Sequence, residues 1–171
     1  RELHLAGVNV QVWCPLKICK PLTSAHWSFI NWLGVKEVSG SPDPKTSSLW
    51  IEALFGLGQT RALPELIGEL LKERQKHQPD RLISLDVPAG ICSDTGRNLC
   101  EVVAVAHSTI TAGFIKKGLL QDLAYQCVGK LKRVEMGFPS FLFENFSLPL
   151  PRVIWPDDLK IEELIQRINS Q

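Results

Sequence analysis

The sequence predicts an α/β protein: a doubly wound, mostly parallel sheet with helices on both faces. Three observations carry the prediction. Short apolar strand patterns alternate with helical ones at the spacing of βαβ units. One of them, "LISLDV", is an almost continuous apolar run, the pattern of a strand covered on both faces. Two strands, in "SLWIEALFGLGQTRAL" and "RLISLDVPAGICSDTG", run straight into glycine-rich turns.

The elements follow in order. "RELHLAG" reads as the last turns of a helix closed by Gly7, a tail that suggests a missing N-terminal piece. "VNVQVWC" alternates and carries β-branched valines, a strand signal. Leu22, His26, Phe29, Ile30 and Leu33 recur at helical spacing until Gly34 stops the run. "SGSPDPKTSS" is a surface loop by composition, and "LWIEALF" is the next strand. Leu63, Leu66, Ile67, Leu70 and Leu71 then mark one face of the clearest helix, with Glu65, Glu69, Lys72 and Arg74 placed off it. "LISLDV" and "STITAG" are strands, "KKGLLQDLAY" turns helical after Gly118, and "GKLKRVEMG" alternates as a last strand. "FPSFLFENF" is a short apolar segment, and "PLPRVIWP" a linker. A final helix over 158–170 aligns Ile161, Leu164, Ile165 and Ile168.

A chain of 171 residues fits one domain with one core. Its 44% apolar and 22% charged residues are ordinary for a globular protein. A net charge of +1 gives no electrostatic case for nucleic acid or an anionic membrane. No apolar run approaches the roughly 18 residues of a membrane span, and the start has no signal-peptide pattern. The five cysteines form no CxxC pair or zinc-spaced cluster, and read as reduced core thiols of a cytosol-like compartment. No histidine is spaced with a nucleophile and there is no GxSxG, so a hydrolase triad is unsupported.

In an open α/β sheet, ligands bind at the carboxyl ends of the strands, where loops and helix N-termini gather. Glu52 and Asp86 each stand at such an end. Gly56 and Gly58 in "GLGQTR" let backbone N–H groups approach an anion, with Arg61 near enough to add charge. A tight turn explains those glycines equally well. Asp86 precedes a turn fixed by Pro88, which favours a functional carboxylate over a loop cap. Asp94 and Thr95 read as turn builders. Lys116 and Lys117 follow a strand and are within reach of an anion, but solvated charge is the better reading.

Together "IEALFGLGQTRAL", "LISLDVPAGICSDTG" and "HSTITAGFIKKGLL", ending in "GKLKRVEMGFP", resemble the successive motifs of the YjeF N-terminal domain, the NAD(P)H-hydrate epimerase family. Members read D-A-[LI]-F-G-x-G, then L-D-[IV]-P-S-G-x-x-x-D-T-G, then T-x-T-F-G-x-x-K-x-G-L. Order and spacing agree over residues 1–139. The resemblance draws a domain at 1–149, lacking its first strand and N-N-G-G-D-G loop, and a linker with C-terminal helix at 150–171. It implies a Rossmann-like fold and a homodimer; the cytoplasmic setting is read from the cysteines. The implied activity interconverts the R and S epimers of hydrated NADH and NADPH, which carry a hydroxyl at C6 of the nicotinamide ring. A partner dehydratase then uses one epimer.

By that resemblance Gly56, Leu57, Gly58, Gln59, Thr60, Arg61 and Ala62 bind the substrate. Asp86 contacts it near the ring, as general acid/base at a hydroxyl that leaves and returns on the other face. A potassium ion is implied beside the same turns, at the positions of Glu52 and Ala89. Both depart from the family pattern: the aspartate is here one methylene longer, and the serine has lost its hydroxyl. Two other readings compete. One is a non-catalytic binding or interaction domain of the same fold, which those departures favour. The other is a nicotinamide dehydrogenase, which lacks the third glycine and an acid about 20 residues on.

Overall fold

The computed structural model describes residues 1–18 and 20–137. The domain boundary at 149/150, the predicted segments beyond residue 137 and Cys19 lie outside them. The chain divides into two compact units, Arg1–Pro44 and Lys45–Gln171.

In the first unit, α1 (Glu2–Leu5) ends where the sequence places it, with Gly7 at φ 82° supplying the left-handed turn. β1 (Gln11–Val12), α2 (Pro21–Trp32) and β2 (Lys36–Glu37) follow, and β1 pairs with β2 in parallel. Pro21 opens α2, where its missing N–H costs nothing. β2 has no counterpart among the predicted strands. "KEV" alternates too briefly to announce itself, and the ladder is two residues long. The apolar stripe predicted for α2 exists at the expected spacing, but no residue of the helix is buried. Leu22 is 71% and Trp32 78% exposed.

The second unit carries β3 (Trp50–Glu52), α3 (Glu65–His77), β4 (Leu82–Leu85), β5 (Ser108–Ala112), α4 (Tyr125–Val128) and β6 (Lys130–Val134). Two short 3₁₀ turns, Lys117–Leu120 and Asp122–Ala124, precede α4 where one helix was expected after Gly118. The four strands form one sheet in the order β3-β4-β5-β6, every pair parallel. Parallel strands with intervening helices are the α/β, Rossmann-like class that the sequence predicts. Val87, Ile91, Val103, Leu119, Ala124, Cys127 and Val128 make the core cluster. Cys127 is the buried thiol of the four described; Cys100 is half-buried against the core cluster, and Cys14 and Cys92 are half-buried outside it.

Helix α3 corrects the sequence reading in one respect. Leu66 is 57% exposed, while Arg74, placed off the apolar face, is fully buried. Its guanidinium donates to the carbonyls of Thr46, Ser48 and Arg81 and lies over the Trp50 ring, 4.5 Å from the centroid. These bonds tie α3 to the loop before β3 and to the residue before β4. Among the described residues, no helix is long and apolar enough to cross a membrane.

Candidate functional site

Because β3 and β4 run parallel, Glu52 at the end of one and Asp86 just past the end of the other stand on the same sheet edge. Glu52 is the last residue of β3, opposite Ser84 in register. It is buried, and its carboxylate reaches across to the "VPAG" turn. One oxygen accepts the Ala89 N–H at 3.0 Å and the other the Leu54 N–H at 3.3 Å. Burial raises its pKa above the ordinary value. The Ser84 hydroxyl and the two N–H groups pull the other way and lose to desolvation. Among the described residues Ser84 Oγ is buried and meets no partner at full hydrogen-bond geometry.

Asp86 is the one non-glycine residue among those described with positive φ, at 71°. Its N–H still bonds Ile110 O on β5 at 2.8 Å, while Val87 N–H returns to Leu85 O at 3.0 Å. The second bond closes a tight γ-turn centred on Asp86 at positive φ, a rare and strained form. Strain of this kind costs on the order of 1–3 kcal/mol and clusters where it serves a site. The carboxylate is held by one oxygen. Oδ1 accepts from Thr111 Oγ1 at 3.3 Å, from Ala112 N–H at 3.4 Å and from the Lys116 ammonium. Oδ2 faces Gly56, where a Cβ would stand 3.1 Å from it.

Lys116 is the residue that sequence reasoning missed. It is not a solvated charge: its side chain is 10% exposed, and its ammonium donates to Asp86, to Thr111 Oγ1 at 2.9 Å and to Ala112 O at 2.8 Å. The signal was present, since the motif "TITAGFIKKGL" sets this lysine two residues before Gly118. Gly118 fixes the approach. A Cβ there would lie 2.4 Å from Cys92 O and 2.6 Å from Ser93 O, so only glycine lets this loop seat on the "CSDTG" turn. Asp94 and Thr95 belong to that turn, as builders rather than reactants.

The "GLGQTR" turn sorts its residues. Gly58 has φ 83°, which the turn requires. Gln59 spends its amide stitching the two turns together. Its NH₂ donates to Gly56 O at 3.3 Å and Pro88 O at 3.4 Å, and its carbonyl accepts Gly90 N–H at 2.8 Å. Leu57, Thr60, Arg61 and Ala62 are exposed along the turn, and Ala89 is fully buried.

At the two positions assigned to potassium, each Glu52 oxygen already accepts a backbone N–H, and Ala89 offers no side-chain oxygen. Among the described residues, no group of three or more His, Cys, Asp or Glu is placed to hold a metal.

A family model described as "YjeF-related protein N-terminus" matches residues 1–118. A bifunctional NAD(P)H-hydrate repair enzyme Nnr of Gloeobacter violaceus is 35% identical over 139 residues, 81% of this chain and 27% of that protein. The enzyme of the same name from Synechocystis is 36% identical over 145 residues, 85% of this chain and 27% of that protein. An NAD(P)H-hydrate epimerase of Leuconostoc mesenteroides is 33% identical over 158 residues, 88% of this chain and 69% of that protein. The chain thus spans little more than a quarter of these bifunctional relatives and about two thirds of the epimerase. The family model covers more than half of this chain and the epimerase is matched over 69% of its own length, so the chain belongs to the YjeF-related N-terminal family.

Proposed function

We propose that the protein interconverts the R and S epimers of hydrated NADH and NADPH, with Asp86 as the catalytic residue. The observation that carries this reading is the one-sided anchoring of Asp86. Oδ1 is tied down by Lys116, Thr111 and Ala112, while Oδ2 looks toward Gly56 in the turn assigned to the substrate. A group that moves a proton must be held within hydrogen-bond reach of its target, and this one is held. Inverting C6 requires one of its bonds, to oxygen or to the ring nitrogen, to break and re-form. Either route moves a proton at the hydroxyl oxygen, on to it or off it, and Asp86 does so here.

The exposed backbone of Gly56–Ala62, with the Arg61 guanidinium, binds the dinucleotide, while Gln59 and Glu52 brace the turns beneath it. Potassium, which the resemblance implies, takes no part in these steps. The names of the relatives support a place in nicotinamide-cofactor repair, beside or in one chain with a hydrate dehydratase. A homodimer is carried over from the family resemblance, and a cytoplasmic setting from the cysteine pattern. Glu52 and Ala89 favour a second reading, a non-catalytic binding domain of the same fold. The two are separated by following a single purified epimer toward the equilibrium mixture. Conversion faster than the spontaneous reaction supports the epimerase, and binding without acceleration supports the second reading.

A further inference from the structure

Which bond at C6 breaks is a question that the hydrogen bonds around Asp86 address. Lys116 has three N–H bonds to give. All three are committed, to Asp86 Oδ1, Thr111 Oγ1 and Ala112 O. Thr111 in turn donates its hydroxyl proton to Asp86 Oδ1. Among the described residues no donor reaches Oδ2. The carboxylate is therefore ion-paired on one side and open on the other, with a side chain 27% exposed. That is an arrangement for accepting a proton, with no spare proton beside it to give.

We propose that Lys116 is a positioning residue that fixes Asp86 as a base, and that C6 is inverted by opening the ring at the C6–N1 bond with the hydroxyl oxygen retained. This rests on the epimerase reading. Expelling the hydroxyl would need an acid to protonate it first. Ring opening needs only a base, because C6 carries both the hydroxyl and the ring nitrogen. Asp86 Oδ2 takes the hydroxyl proton, and the O–H electron pair becomes the second bond of an aldehyde. The C6–N1 pair moves onto N1, where the C2=C3 bond and the carboxamide spread its charge. Asp86 then hands the proton to N1. Rotation about C5–C6 turns the other aldehyde face to N1. Attack by N1, with the proton returned through Asp86 to oxygen, closes the opposite epimer. Nothing is oxidised or reduced, and no atom enters or leaves.

The experiment is inversion of one purified epimer of hydrated NADH by the protein in H₂¹⁸O, with a no-protein control, read by mass spectrometry. Accelerated inversion with no more label than the control is the expected result. Accelerated inversion with label above the control overturns ring opening alone. No acceleration overturns the epimerase reading and this inference with it. Lys116→Met, with its melting temperature checked, is expected to lower kcat about a hundredfold, the cost of misplacing a reacting group, with KM little changed. Lys116→Arg is expected to recover part of the loss. A folded Lys116→Met protein with parental kcat would overturn the positioning role.

Discussion

Gly56 and Asp86 come from two different strand-end turns and meet across the sheet edge. A methyl group placed on Gly56 would stand 3.1 Å from Asp86 Oδ2. The same pair brings the turn assigned to the substrate against the one carboxylate oxygen that carries no hydrogen bond among the described residues. Gly56 is not among the residues with positive φ, so alanine fits its backbone. Contact at this distance requires Asp86 to give by a few tenths of an ångström, and Asp86 is anchored on its other side. Gly56→Ala is expected to keep or slightly raise the melting temperature while slowing inversion about tenfold, since small misplacements of a reacting group are costly. Parallel thermal and kinetic measurements check it; a variant as fast as the parent would break the link between the two residues.

Glu52 gives the protein a pH signature. Its folded-state pKa is raised because burial disfavours the charge. The unfolded chain therefore releases this proton first as pH rises. The group contributes stability that is present below the ordinary value of 4.5 and is lost as pH climbs through the raised one. Urea unfolding of the parent and Glu52→Gln at several pH values should show the difference in stability shifting against the parent as pH rises through this window. A pH-independent difference would mean that Glu52 ionises alike in both states.

Potassium should be dispensable. Glu52 ties the ends of β3 and β4 together directly through the Ala89 N–H, its other oxygen takes the Leu54 N–H of its own turn, and Ala89 has no hydroxyl to offer. Exchanging potassium for sodium or choline at constant ionic strength is expected to leave both the melting temperature and the inversion rate unchanged. A rise of either that is specific to potassium would place an ion here after all.

Arg74 is predicted to be structural and expensive to lose. Its guanidinium donates to three carbonyls on two chain segments; that of Arg81 also takes the Trp50 N–H, but methionine can make neither the Thr46 nor the Ser48 bond. Arg74→Met should destabilise the protein by at least about 2 kcal/mol, because hydrogen bonds made by a charged group contribute about 1.5–3 kcal/mol each. Chemical denaturation measures it directly, and a loss well below 1 kcal/mol would show that solvent reaches those carbonyls.

The strand-turn logic of the site was legible in the sequence because it is local. An apolar run, a carboxylate and a glycine turn, repeated twice, place Glu52 and Asp86 on one edge once the strands are parallel. What was not legible depends on partners distant along the chain. Lys116 looks like surface charge beside Lys117, and nothing local shows that it folds back 30 residues onto Asp86. Arg74 lies on the same face as Leu70 and Leu71, and its charge argued for solvent. Its carbonyl partners at 46 and 48 belong to a loop that composition describes only as polar. The apolar stripe on α2 shows the converse limit. Periodicity located the helix, but burial needs a covering surface that no pattern within the helix supplies.

The claim that Asp86 moves the proton is tested most directly by Asp86→Asn. Asparagine keeps the shape and is, with aspartate, among the side chains best suited to positive φ, so the turn is retained. It removes the proton acceptor. The rate of R/S interconversion of purified hydrated NADH, after subtraction of the spontaneous reaction, should fall about a hundredfold to ten-thousandfold in a variant that melts as a folded protein. Turnover equal to the parent's in a folded Asp86→Asn protein would contradict the account.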